Sequence, residues 1–156
     1  MFEEFDVAPF RPPELCVKFF AVFQRFEYAL KKHKQFLMHK SLNEKAIASW
    51  DEFGNSLGEP FFNRMKSDQR SKVLFNRPVK KQIINASGEC DFEENPVAPT
   101  KAKELFESIR TVRNNLFHGG KSVIIYRDEE LIGASLFVLG EALLASDLVM
   151  KSFRGY

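Results

Sequence analysis

From Glu14 onward the apolar residues Leu15, Phe19, Val22, Phe23, Phe26 and Leu30 recur at three- and four-residue spacing to about Lys34. That is the period of one helix face, and it predicts an amphipathic α-helix. Before it, Met1 to Pro13 reads as an extended lead-in closed by Pro12-Pro13. A weaker helical pattern covers Ser41 to Phe53, with Ile47, Trp50 and Phe53 on one side. Gly54, Gly58 and Pro60 then punctuate the chain. Phe61 to Phe75 follows as a short helix that turns Phe62, Met65 and Val73 inward.

The pattern breaks between Asn76 and Pro99. Pro78, Gly88, Pro96 and Pro99 stand among charges, and Val79 to Ile84 is the segment's one apolar patch. The reading is a long loop with a turn of helix, of the kind that often carries function. Thr100 suits an N-cap, although Lys103 stands where a capping box has its glutamate. Leu105, Ile109, Val112 and Leu116 form the stripe of the next helix, which two glycines end: a left-handed cap is expected at Gly119 or Gly120. Ser122 to Tyr126 reads as an extended link. A last long helix is predicted from Asp128, as N-cap, to about Phe153, carrying Leu131, Ile132, Ser135, Val138, Leu139, Ala142, Leu143, Leu148 and Val149. The fold class is therefore all-α. Residues 1–156 form a single-domain bundle of about four to five helices, with a long irregular segment before the penultimate major helix.

Composition narrows this little. A chain of 156 residues and 18.0 kDa supports one core. The start, Met1-Phe2-Glu3-Glu4-Phe5-Asp6, has neither a basic n-region nor an apolar h-region, and no run is long and apolar enough to cross a bilayer. A cytoplasmic chain with no membrane partner is expected. Cys16 and Cys90 lie far apart without a CxxC partner, so reduced thiols are expected. Net charge is only +2. Lys31, Lys32, Lys34 and Lys40 form one basic group and Arg77, Lys80 and Lys81 another; both read first as solvated surface. Of the seventeen phenylalanines, Phe19, Phe20, Phe23 and Phe26 fall at helical spacing and read as core.

The chemistry lies in Arg113-Asn114-Asn115-Leu116-Phe117-His118, followed by Gly119-Gly120. An arginine offers phosphate a rigid, permanently charged fork. A histidine, with an ordinary pKa of about 6.5, exchanges protons near neutrality. Together they can hold and cleave a phosphodiester without a metal. Asn114 and His118 lie one turn apart and can meet. Arg113 and His118, five apart, diverge by more than a quarter-turn. Either the long arginine reaches round or a second copy of the helix supplies the missing side, and this divergence favours a dimer.

The motif, its glycine stop, the long apolar helix after it and the first-helix stretch Arg25-Phe26-Glu27-Tyr28-Ala29-Leu30-Lys31 resemble the HEPN superfamily over most of the chain, with a looser match from Ser41 to Pro99. The resemblance implies a metal-independent endoribonuclease that works as a homodimer and needs no cofactor. Arg113 would neutralise the scissile phosphate, His118 would be general base or acid, and Asn114 would orient the ring or touch the phosphate. Arg110 and Lys121 are candidate substrate-binding cations, and Glu27 a supporting residue. Products would be a 2′,3′-cyclic phosphate and a 5′-hydroxyl. Family members act on RNA as toxins with a cognate antitoxin such as a nucleotidyltransferase, in anti-phage defence, or in RNA processing.

Plainer readings stand beside these. Arg113 could pair with Glu104 or Glu107, His118 could answer the helix dipole, and His33 and His39 read as surface. Glu14, Glu27, Asp51 and Glu52 lack metal-ligand spacing. No P-loop, GxSxG or HExxH is present. The alternative to an enzyme is a non-catalytic helical module that dimerises and binds RNA, a nucleotide or a partner protein.

Overall fold

The computed structural model describes residues 12–119 and 124–156. Among them lie six helices and one small hairpin: α1 (Glu14–Lys31), α2 (Trp50–Ser67), α3 (Val73–Asn76), β1 (Gln82–Ile84), β2 (Cys90–Phe92), α4 (Ala102–Phe117), α5 (Tyr126–Leu144) and α6 (Asp147–Arg154). The all-α bundle expected from the periodicity is what forms, with one more helix than anticipated.

Helix α1 buries Cys16, Phe19, Phe23, Phe26, Ala29 and Leu30. Burial pushes the Cys16 thiol up, and Asp128 and Glu129 add to the shift, so this cysteine is inert core. The Trp50 ring stacks on Phe23 and on Phe26 with centroids 5.0 Å apart in each case. Phe53 and Phe106 close the cluster. Aromatic pairs of this kind contribute roughly 0.5–1.5 kcal/mol each beyond their buried area. Phe19, Phe23 and Phe26 therefore make the core, as their spacing indicates, whereas Phe20 is half-buried at its edge.

The second helix differs from the expectation. Residues 41–49 are not helical: Leu37 bridges Ala48, Met38 N–H donates to Ile47 O at 3.0 Å, and Ser49 N–H to Phe36 O at 2.7 Å. Ser49 then caps α2, its Oγ accepting from Glu52 N–H at 3.2 Å, with Asp51 and Glu52 in the favourable first turn. The helix starts at Trp50, close to the expected end at Phe53. It continues through Gly54 to a kink at Gly58 (φ 69°, ψ −167°), just before Pro60. At Gly54 a Cβ would lie 2.7 Å from Lys103 Cα and 2.8 Å from Lys103 N. Only glycine lets the backbones of α2 and α4 come this close.

The single last helix divides in two. Ser146 starts α6 by accepting from Val149 N–H at 3.4 Å, and the α5 and α6 axes are bent by 109°. Asp128 is not the N-cap of α5; it sits three residues in, and its carboxylate accepts from Ile125 N–H at 2.9 Å. The bend lays α6 along α1. There Arg25 Nε donates to Phe153 O at 2.7 Å, and His33 Nε2 meets Ser152 Oγ at 2.9 Å. His33 is thus a half-buried tie rather than a surface residue, whereas His39 is exposed. Among the described residues no single helix is long and apolar enough to cross a membrane; α5 and α6 reach that length and hydropathy only as the bent pair.

The irregular segment holds a hairpin, pairing Gln82 with Phe92, Ile83 with Asp91 and Ile84 with Cys90. Its turn is built on Asn85, whose Oδ1 accepts from the N–H groups of Ser87 and Glu89 at 3.0 Å. Thr100 does not cap α4. Its N–H and hydroxyl both donate to Glu104 Oε2, at 2.8 and 2.7 Å, so the carboxylate secures the helix entry instead.

Candidate functional site

Burial of Leu105, Phe106, Ile109 and Val112 against the core fixes the rotation of α4 about its axis. The helix ends at Phe117. His118 leaves the helical path as its C-cap (φ −94°, ψ 23°), its N–H donating to Asn114 O at 2.9 Å. Gly119 follows with φ 76°, the left-handed stop expected there.

With His118 still on an i→i−4 bond, the long Arg113 side chain is what reaches round to the ring. Arg113 Nη1 lies 3.2 Å from His118 Nε2 and donates to Asn114 Oδ1 at 2.9 Å. The divergence calculated for a regular helix is closed within one protomer, so it no longer argues for a second copy. Asn114 contacts Arg113 rather than the His118 ring. A guanidinium can only donate. Its contact with Nε2 therefore requires a neutral His118 ring with the proton on Nδ1. The guanidinium also lies over Phe117 and Phe23, at 4.8 and 5.5 Å from the ring centroids, and the Phe117 ring stands edge-on to His118 at 5.2 Å. Neither plain pairing of Arg113 is present: Glu104 is held by Thr100, and Glu107 accepts from Lys81 Nζ at 2.7 Å.

His118 and Asn114 line an open cleft of about 540 Å³ with Arg110, Asn115, Gln82 and Asp51. Arg110 makes no hydrogen bond or ion pair to any described residue, and it shares the cleft with the carboxylates of Asp51 and Glu107. Lys121 lies outside the described residues. Of the second basic group, Lys81 is bound by Glu107, which raises its pKa, and Arg77 pairs with Glu130. Arg113 lines a different space, a cavity of about 220 Å³ with Phe20, Phe23, Gln24, Glu27 and Phe117. Glu27 is fixed there by Trp50 Nε1, which donates to its Oε1 at 3.0 Å.

Asn115 and Asp51 are among the cleft residues not anticipated as such. Asn115 is buried and donates through Nδ2 to Lys80 O at 2.8 Å, tying α4 to the hairpin's lead-in. Its position in the motif as a second consecutive amide was the only signal for it. Asp51, read as surface, lies on the cleft wall. Among the described residues no group of three or more His, Cys, Asp or Glu side chains could hold a metal ion. In comparisons with family models, with curated proteins and with solved structures, the chain matches nothing.

Proposed function

We propose that the chain is a HEPN-type endoribonuclease that cleaves single-stranded RNA without a metal, in the cytoplasm. One observation carries this reading: the Arg113 guanidinium rests 3.2 Å from Nε2 of His118, and His118 lines an open cleft. A phosphate arriving at Arg113 takes over the guanidinium's donors as a bidentate, charge-assisted pair. That frees the Nε2 lone pair. Nε2 then accepts the proton of the 2′-hydroxyl while the 2′-oxygen attacks phosphorus. The 5′-oxygen leaves with a proton, giving a 2′,3′-cyclic phosphate and a 5′-hydroxyl. Arg113 offsets the charge that builds on the phosphoryl oxygens. Asn114 keeps the guanidinium aimed, and Arg110 holds a neighbouring phosphate.

A single imidazole cannot remove and supply a proton in the same step, and for that reason the proposal includes a homodimer in which the second His118 acts as general acid. A toxin restrained by an antitoxin such as a nucleotidyltransferase, or an anti-phage nuclease, is the setting this activity suits. The test is cleavage of a labelled single-stranded RNA in EDTA. Wild type should cut, leaving cyclic-phosphate ends. His118→Ala should fall by roughly two to four orders of magnitude, the usual share of acid–base catalysis, and Arg113→Ala comparably. Cleavage that requires added magnesium, or an alanine variant as active as wild type, would overturn the proposal.

A further inference from the structure

We infer that the cavity between α1 and the end of α4 is a nucleobase subsite that selects guanine, seating the base beside the phosphate held by Arg113. The inference rests on the ribonuclease reading for that phosphate. The argument begins with size. At about 220 Å³ the cavity is smaller than the ~300 Å³ at which pockets take whole drug-sized ligands. It has room for one flat heterocycle and excludes base, sugar and phosphate together.

Its walls suit such a guest. Phe20 and Phe117 meet edge to face with centroids 5.7 Å apart, and Phe23 is held in place by its stack on Trp50. Phe117 is 60% exposed, a large apolar ring left at the surface immediately before the proposed catalytic histidine. Unstacked RNA bases are recognised by such rings together with hydrogen bonds to the base edge. The guanidinium over Phe117 adds a second planar surface at the rim and fixes where the adjoining phosphate would sit.

The polar wall sets the choice of base. Glu27 accepts from Trp50 through Oε1, which locks its rotamer and leaves Oε2 without a partner among the described residues. A carboxylate only accepts. Guanine alone among the four RNA bases carries two adjacent donors, N1–H and the 2-amino group, on its Watson–Crick edge. Uracil and cytosine offer less, and adenine's N1 would meet the carboxylate lone pair to lone pair. Gln24 stands at the rim with an amide free to donate to the guanine carbonyl.

Trp50 is the chain's one tryptophan, and its N–H is bonded to the proposed reading group, so its emission reports on the pocket. Wild-type protein titrated with the 5′-monophosphates of guanosine, adenosine, cytidine and uridine, excited beyond nucleotide absorption, should bind the guanosine form roughly tenfold tighter than the rest, as one good bidentate pair allows. Glu27→Gln keeps an acceptor for Trp50 and should abolish that preference without changing the circular dichroism. Phe117→Ala should weaken all four ligands alike, by roughly tenfold. Equal affinities in wild type, or a guanosine preference that survives Glu27→Gln, would overturn the inference. So would a Phe117→Ala variant that splits a dimer yet binds guanosine monophosphate unchanged, since the ring would then belong to a subunit contact. A wild type that binds guanosine monophosphate selectively but cuts no RNA would uphold the subsite while removing the ribonuclease reading. Metal-independent cleavage with no nucleotide preference would do the reverse.

Discussion

The two sides of α4 are held by opposite means. Its inner face, Leu105, Phe106, Ile109 and Val112, is locked by close-packed rings and aliphatic chains from α1 and α2. Its outer face meets the hairpin segment through a few polar links, chiefly Asn115 to Lys80 and Lys81 to Glu107. Hydrophobic packing resists displacement in every direction, whereas isolated polar bonds fix a few points and leave the surface between them open to water. The motif side chains emerge along the border. They inherit their rotation from the rigid side and their access to solvent from the other.

The contrast breaks most severely at the core. Phe106→Ala removes a fully buried ring against Trp50, Phe53 and Phe61, and a loss of about 3–5 kcal/mol is expected. Denaturant unfolding should show it, and a change below 1 kcal/mol would mean that the cluster does not anchor α4. Arg113→Lys should leave stability untouched and recover only part of the cleavage lost in Arg113→Ala, because a point charge does not reproduce the fork. Full recovery would show that charge alone suffices.

Asn115→Ala leaves Lys80 O without its donor and should cost about 1–2 kcal/mol. Hydrogen exchange should quicken around 80–93 while the helix interior keeps its protection; uniform quickening would deny that the two sides are separable. The smallest effect concerns the helix entry. Bonds from the Thr100 N–H and hydroxyl hold the Glu104 carboxyl below its usual range. A depressed carboxyl adds stability above its unfolded value and loses it as pH falls through the folded one. Glu104→Gln should therefore flatten the acid limb of the melting-temperature profile, with at most about 0.5 kcal/mol at neutral pH for so accessible a pair.

The same contrast explains what the sequence could tell. α1, α4 and the body of α5 were legible because one buried face imposes a 3.6-residue period. The start of α2 was misjudged because Ile47 and Trp50 keep helical spacing across residues that a backbone bridge at Ala48 holds extended. The break after Leu144 was invisible because apolar residues continue on both sides of it, and only Ser146 marked the cap. The hairpin left no alternation to read, since its strands are three residues long and exposed on nearly every position. At the site, Arg113, Asn114 and His118 could be picked out by chemical type. Their convergence could not, because it depends on the conformation in which the Arg113 side chain reaches round the helix. Asn115 and Asp51 acquire their places only from segments distant in sequence.

Gly54 carries one more consequence. With the backbones of α2 and α4 in direct contact there, no side chain stands between them to absorb error, and the entry of α4 is set as by a machinist's stop. A single added methyl would act as a wedge at one end of a helix whose other end bears Arg113 and His118. The place of that arginine–histidine pair against α1 is thus set from the far end of the rod, by one carbon atom.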